Sequence, residues 1–199
     1  MKLLLTGFEP FDGGSLNPSQ LAVQQLVSEG LPGCEIVPVI LPVIADIAPG
    51  LLLTRLEEVQ PEVLLSLGLA GSRPVISIER IAINLLDFRI PDNAGRQLLD
   101  NPIVADGPAA YFATLPVRAM YEAVLAAGVP VELSLSAGAY LCNQVMYAAL
   151  HLIAVRGWRI RAGFVHLPAL PEMVTTRPIP SMSLETMLTG LRAMLAVII

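Results

Sequence analysis

The feature that most restricts the fold of this chain is a regular alternation between short apolar runs and amphipathic segments. The apolar runs have the length and residue types of buried strands and lie at 2–8, 34–43, 61–70, 129–136 and 159–168. The amphipathic segments have helical spacing and lie at 17–29, 47–60, 116–128, 181–199 and in a stretch that begins near Cys142. This alternation predicts an α/β fold with one domain over residues 1–199, a three-layer α/β/α sandwich with a mostly parallel, twisted sheet.

Three segments add detail to this pattern. The run at 34–43 contains prolines, which cannot donate to a sheet ladder, so an edge position is expected for it. Residues 75–84 alternate like a further strand. Residues 85–113 are rich in Asp, Asn, Pro and Gly, and a loop of that length inside a compact domain is usually functional or mobile.

Composition limits the classes of partner. Of 199 residues, 54% are hydrophobic and 15% are charged, which predicts one substantial core and some apolar surface for a subunit contact. A net charge of −5 without a basic cluster argues against nucleic acid. No apolar run reaches the roughly 18 uninterrupted residues that a membrane span requires. We therefore expect a cytoplasmic protein that binds neither nucleic acid nor a membrane.

The two cysteines, Cys34 and Cys142, both lie in apolar surroundings. A cytosolic protein of this size rarely needs a disulfide, so two free thiols are expected. The sequence contains no C-x-x-C or H-E-x-x-H spacing, which argues against zinc and leaves no metal site predicted. Packing and nucleophilic catalysis remain as the two interpretations of Cys142.

Cys142 follows the predicted strand 129–136 and begins a helix. Such a position places the sulfur near unpaired amides and the positive end of the helix dipole, and both are expected to lower the pKa of the thiol. The amide of Cys142 could also bind an oxyanion. Because free cysteines are among the most buried residue types, a packing role stays open on position alone.

A cysteine nucleophile needs a base, and the chain offers His151 and His166. His151 lies nine residues further along the same predicted helix, half a turn out of phase with Cys142 and about 13 Å away along the axis. His166 ends an apolar strand and is expected on the same rim of the sheet as Cys142, which makes it the better base. Its alternative role is that of a buried, hydrogen-bonded histidine of the core.

A third residue is needed to orient the imidazole, and Glu79 is the best candidate. Its carboxylate lies within an apolar strand, where burial without a partner would cost several kcal/mol. The alternative for Glu79 is an ion pair with Arg73 or Arg89. Asp87 and Asp92 compete for the orienting role, but they lie in the polar loop, where solvation alone accounts for them.

Several long blocks, spread in order over nearly the whole chain, resemble the pyroglutamyl peptidase type I family, also called the pyrrolidone-carboxylate peptidases. They read LLTGFEPFDGGSLNPS, GLAGSRPVISIERIAINLLDFRIPDN, SAGAYLCNQ, GFVHLPALP and PSMSLET. The resemblance implies a cysteine peptidase that removes N-terminal pyroglutamate from peptides without a metal or organic cofactor. It also suggests a homotetramer.

The resemblance assigns a role to each matching residue. The family's catalytic triad corresponds to Cys142, His166 and Glu79, the residues favoured above on physical grounds. Its oxyanion-stabilising arginine corresponds to Arg89.

The family's aromatic pair around the lactam ring corresponds to Phe8 and Phe11, for which ordinary core packing is the alternative. Backbone groups around Phe11, Leu69 and Leu141 are candidates to bind the ring, and Asn17 to position the loop as well as cap its helix. Leu69 stands where the family usually has glutamine, so ring binding is preserved only if that residue acts through its backbone.

Two other functions are compatible with such a chain. A transferase resembling the nucleoside phosphorylases would need phosphate ligands, and the sequence offers no clustered basic loop and no P-loop glycines. A non-catalytic binder of small cyclic amides would keep the pocket without turnover. The presence of Cys142, His166 and Glu79 together favours the peptidase.

Overall fold

The computed structural model describes residues 1–175 and 178–199. Within them the strands are β1 (Lys2–Phe8), β2 (Glu35–Leu41), β3 (Val63–Leu69), β4 (Ile76–Glu79), β5 (Ile81–Ile83), β6 (Ala110–Phe112), β7 (Val131–Ser134) and β8 (Arg161–Leu167). The α-helices are α1 (Pro18–Glu29), α2 (Ala48–Val59), α3 (Val117–Ala126), α4 (Leu141–Arg156) and α5 (Leu184–Ile198). Among these described residues, no helix has the length and apolar character needed to cross a bilayer.

Six strands form the central sheet in the order β2-β1-β3-β8-β4-β7. Strands β2, β1, β3 and β8 run parallel, whereas β4 is antiparallel to β8 and β7 runs parallel to β4. The predicted mostly parallel sheet is confirmed. The edge position predicted for the proline-containing strand is also confirmed, because β2 is the terminal strand on its side.

The sheet is covered on both faces because successive residues of its strands are buried in opposite directions. On β1, Leu3 and Leu5 pack with α1, α3 and α5, whereas Leu4 and Phe8 pack with α2 and α4. The two helical layers thus enclose a sheet that is apolar on both sides. This arrangement is the three-layer α/β/α sandwich that the sequence predicts.

The segment 75–84 is divided between two sheets, which its alternation does not reveal. Residues up to Glu79 pair with β7 and β8, whereas Ile81–Ile83 leave the central sheet and pair antiparallel with β6. Alternation with a period of two is the same in both sheets, so the pattern predicts strand structure but not the change of partner.

The polar loop between β5 and α3 is held in place by hydrogen bonds to Asp92, which is 6% exposed. Its carboxylate accepts hydrogen bonds from the amides of Ala45, Ala94 and Arg96. Burial alone would raise the pKa of Asp92, but these hydrogen bonds and the charge of Arg96 outweigh it and lower the pKa. Asp92 therefore acts as an anchor for this loop.

Helix α1 packs against the end of β1 at very short range. Asn17 caps the helix by accepting a hydrogen bond from the amide of Ser19, and its side-chain amide donates to the carbonyl of Glu9. A Cβ atom on Gly7 would lie 2.6 Å from the carbonyl oxygen of Ser19. Glycine is therefore required at residue 7 for the helix to approach the strand and hold the loop after Phe8.

Replacing Gly7 with alanine should destabilise the protein by about 1–3 kcal/mol, because the obstructing atoms are backbone and the helix must shift. Gly50→Ala is the matched control, since Gly50 is exposed in α2 and an added Cβ would meet nothing within 4 Å. That control should raise the free energy of unfolding by about 0.5–1 kcal/mol. Urea denaturation measures both, and equal stability of the two variants would contradict the packing described here.

Candidate active site

The centre of the candidate site is a buried hydrogen bond between His166 and Glu79. Nδ1 of His166 lies 2.8 Å from Oε1 of Glu79, and the two side chains are 5% and 0% exposed. The residues are diagonal neighbours on one face of the sheet, because Ser77 is paired with His166 and Glu79 with Phe164. The Glu79 carboxylate can accept a hydrogen bond from Nδ1–H, and in that tautomer Nε2 of the imidazole is free to accept a proton.

Cys142 is the second residue of α4 and lies over β3 at Gly68. A Cβ atom on Gly68 would be 2.9 Å from Sγ of Cys142 and 2.7 Å from Cζ of Phe164. Gly68 is paired in register with His166, so the thiol lies on the face of the sheet that carries the imidazole. In the described part of the chain, the thiol packs on Gly68 and is not hydrogen-bonded to the imidazole, whose Nδ1 contacts Glu79.

The chain reaches this position by a route that the sequence pattern does not predict. Strand β7, which precedes Cys142, runs antiparallel to β8, so its end at Ser134 points away from the rim where His166 lies. Residues 135–140 then return the chain to the start of α4. The two residues are near each other because α4 covers the sheet, not because β7 and β8 end at one edge.

The pKa of Cys142 is raised, opposite to the lowering expected from its position at a helix start. Burial raises the pKa of Cys142 to about 12, with a further increase from the negative charge of Glu79 and an opposing effect from Arg73. The helix start still supplies free amides, because Tyr140 at the N-cap makes no capping hydrogen bond with its side chain. The thiol is therefore protonated at neutral pH and needs a base.

Glu79 also has the ion pair that the sequence left as an alternative. Nη1 of Arg73 lies 2.6 Å from the same oxygen, Oε1, that contacts His166. Arg89, the other arginine considered, is exposed and lines the adjoining cavity instead. The orienting and ion-pairing interpretations of Glu79 therefore coexist in one arrangement.

A cavity of about 770 Å³ opens beside this centre. Its walls include Phe11, Leu69, Arg89 and Tyr140. Leu69 directly follows Gly68, and Tyr140 lies two residues before Cys142, so the cavity reaches the segments that flank the thiol.

The remaining residues predicted for the pocket lie behind its wall. Phe8 is 3% exposed and Leu141 is 1% exposed, and both belong to the core between the sheet and α4. Asn17 is buried and holds the loop that carries Phe11 through its contact with Glu9.

Tyr140 is the aromatic residue that the sequence analysis missed. Its ring centroid lies 6.3 Å from that of Phe11 and 4.6 Å from that of Phe88, and its hydroxyl donates to the carbonyl of Pro91. A tyrosine two residues before the helical cysteine was the available signal. Phe11 and Tyr140, rather than Phe11 and Phe8, form the aromatic walls of the cavity.

His151 belongs to a separate cluster of aromatic residues. Its Nδ1 is 3.0 Å from the hydroxyl of Tyr111, and its ring stacks on Tyr147 at 6.1 Å with an interplanar angle of 8°. These contacts give His151 a structural role, in which it packs against and hydrogen-bonds to its aromatic neighbours.

Comparison with known proteins identifies the family of this chain. The family model described as pyroglutamyl peptidase matches residues 1–199. Pyrrolidone-carboxylate peptidase 1 of Photorhabdus laumondii is 48% identical over 196 residues, covering 96% of this chain and 89% of the relative. The pyrrolidone-carboxylate peptidase of Vibrio vulnificus strain CMCP6 is 49% identical over 194 residues, covering 98% and 91%.

Solved structures give the same result. A mutant pyrrolidone carboxyl peptidase from Pyrococcus furiosus superposes with a TM-score of 0.95 at 40% identity, covering 100% of this chain and 98% of the other. The pyrrolidone carboxyl peptidase from Thermococcus litoralis superposes with a TM-score of 0.94 at 40% identity, covering 99% and 92%. This chain therefore belongs to the pyroglutamyl peptidase family, as its sequence motifs predict.

The contact between Gly68 and Cys142 can be tested directly. In Gly68→Ala the new methyl group would overlap the Sγ position and must displace the thiol or Phe164. The rate of hydrolysis of a pyroglutamyl amide should therefore fall by about 100-fold or more. Gly50→Ala again serves as the control and should keep wild-type activity. A folded Gly68→Ala protein with wild-type turnover would show that the thiol does not need its position on β3.

Proposed function

We propose that this protein hydrolyses the bond after an N-terminal pyroglutamyl residue of a peptide, with Cys142 as nucleophile, His166 as base and Glu79 as the orienting carboxylate. The observation that carries the proposal is the buried His166–Glu79 hydrogen bond on the face of the sheet that also holds the Cys142 thiol. Membership of the pyroglutamyl peptidase family supports the choice of substrate.

In the first half of the reaction, Nε2 of His166 accepts the proton of the Cys142 thiol as Sγ attacks the pyroglutamyl carbonyl carbon. Burial raises the pKa of the thiol, so the sulfur depends on the base for its deprotonation. The tetrahedral oxyanion is stabilised by the amide of Cys142 and by Arg89.

The second half releases both products. His166 donates its proton to the leaving amine as the C–N bond breaks, which leaves pyroglutamate joined to Cys142 as a thioester. His166 then accepts a proton from water as the hydroxyl attacks the thioester carbonyl. The thiolate leaves and recovers the proton from His166, and free pyroglutamate departs.

The cavity is suited to an uncharged ring. Phe11 and Tyr140 offer aromatic surfaces on which a flat, uncharged lactam can pack. The lactam N–H and C=O require hydrogen-bond partners, for which the backbone around Phe11, Leu69 and Leu141 is proposed. A peptide with N-terminal proline lacks the ring carbonyl and would leave one such partner unpaired. The buried side chain of Phe8 supports this wall from behind.

The remaining properties proposed for the protein follow from the sequence and the family. Its partners are peptides with N-terminal pyroglutamate and further copies of itself, with a homotetramer as the expected assembly. A cytoplasmic location fits a free catalytic thiol. The proposed reaction uses no metal and no organic cofactor.

Paired substitutions test the proposal and distinguish it from a non-catalytic binder. Cys142→Ser and His166→Ala should each reduce hydrolysis of a chromogenic pyroglutamyl amide by about 1,000-fold or more, because each removes a group that takes part in bond formation. The matched controls Cys34→Ser and His151→Ala should retain activity within about threefold, since neither residue enters the proposed reaction. Thermal melting establishes that each variant is folded.

Two results would contradict the assignment. Comparable losses from His166→Ala and His151→Ala in folded proteins would show that the base is misidentified. Wild-type protein that binds pyroglutamyl amides without releasing product would establish the binder instead.

A further inference from the structure

Arg73 makes a set of contacts that the proposed reaction does not yet use. It lies in the loop between β3 and β4, and its Nη1 is 2.6 Å from Oε1 of Glu79 and 3.3 Å from the hydroxyl oxygen of Ser134. Its Nη2 donates to the carbonyl of Ser136 at 2.8 Å. Ser136 belongs to the segment that returns the chain from β7 to Cys142, so one guanidinium joins the carboxylate to the loop before the nucleophile.

The negative charge of the buried Glu79 carboxylate is balanced by this guanidinium. The side chain of Glu79 is 0% exposed, and its second oxygen, Oε2, has no hydrogen-bond partner among the described residues. A neutral imidazole donates a hydrogen bond but supplies no counter-charge, and an unpaired buried charge is strongly unfavourable. Arg73, whose side chain is 26% exposed, is the positive group in direct contact with Glu79.

We infer that Arg73 is a positioning residue of the active site, which neutralises the Glu79 carboxylate and fixes the loop before Cys142 to that same carboxylate. The inference rests on the proposed function, because it assigns Arg73 a part in the hydrolysis. Arg73 touches neither the thiol nor the reacting carbonyl in this arrangement and acts through Glu79 and the Ser136 carbonyl.

The other titratable groups described around Glu79 come from several elements. His166 contacts it from β8, and Cys142 lies nearby on α4. Glu132 on β7 is 4.0 Å from Arg73 and accepts a hydrogen bond from the hydroxyl of Ser77. Within this group Arg73 has the positive charge that opposes the rise in the pKa of Cys142. Loss of Arg73 should therefore make the thiol less acidic as well as loosen the carboxylate.

Three variants separate charge, hydrogen-bond geometry and mere proximity. Arg73→Gln removes the charge, whereas Arg73→Lys keeps it but cannot bridge Glu79 and Ser136 as the planar guanidinium does. Arg80→Gln is the matched control, because Arg80 directly follows Glu79 in sequence and is exposed. Two quantities are measured for each folded protein. The first is kcat and KM for a pyroglutamyl amide, and the second is the rate of Cys142 alkylation by iodoacetamide between pH 6 and pH 10.

Arg73→Gln should lower kcat by about tenfold or more with a change in KM below about threefold, because the imidazole and the loop lose their alignment before the chemical step. Its alkylation rate should also fall at each pH, since the thiolate fraction decreases. Arg73→Lys should restore the alkylation profile but recover only part of kcat. Arg80→Gln should match the wild type in both measurements.

A folded Arg73→Gln protein with wild-type kcat and wild-type alkylation would overturn the inference. Should that variant fail to fold, Arg73→Lys decides, and wild-type kcat for it would show that the bridge to Ser136 has no role. Wild-type protein that fails to cleave pyroglutamyl amides would refute the proposed function, and alkylation would still test the effect of Arg73 on the thiol.

Discussion

One carboxylate oxygen, Oε1 of Glu79, contacts both His166 at 2.8 Å and Arg73 at 2.6 Å at a position with no solvent exposure. These contacts determine which nitrogen of the imidazole is free and offset the cost of burying the carboxylate. The same arginine extends to the loop that precedes Cys142. The orientation of the base and the position of the nucleophile thus depend on one buried charge.

The mixed sheet makes this convergence possible. Strand β4 runs antiparallel to β8, which places Glu79 diagonally across from His166. Strand β3, the other neighbour of β8, supplies Gly68 in register with His166. Because Gly68 has no side chain, the Cys142 thiol at the start of α4 can pack directly on the sheet. Three neighbouring strands and one helix start therefore contribute the site, and the loops around Phe11 and Tyr140 form the cavity above it.

The sequence predicted what depends on local pattern. Helix and strand positions followed from periodicity, the edge strand followed from its prolines, and the family followed from the ordered motifs. Glu79 is predicted because a carboxylate within an apolar strand requires a partner, and His166 is predicted because it ends an apolar strand on the expected rim. The structure supplies a hydrogen bond between them.

The sequence could not predict what depends on tertiary arrangement. The direction of β7, the division of 75–84 between two sheets and the raised pKa of Cys142 all arise from long-range packing. Local position suggested a lower pKa because the helix start is visible in sequence, but the burial of the thiol is not. Phe8 ends β1 with its side chain in the core, whereas Tyr140 at the start of α4 lines the cavity, and this difference also depends on tertiary packing.

In the proposed reaction the Cys142 thiol forms a covalent thioester with the pyroglutamyl group. This step is tested most directly by mixing the protein with excess pyroglutamyl ester, quenching in acid within the first turnovers and measuring the intact mass. We expect a mass increase of one pyroglutamyl acyl group, located on Cys142 by peptide fragmentation and absent from Cys142→Ser. Product release with no acylated species at any quench time, or acylation of Cys34 instead, would contradict it.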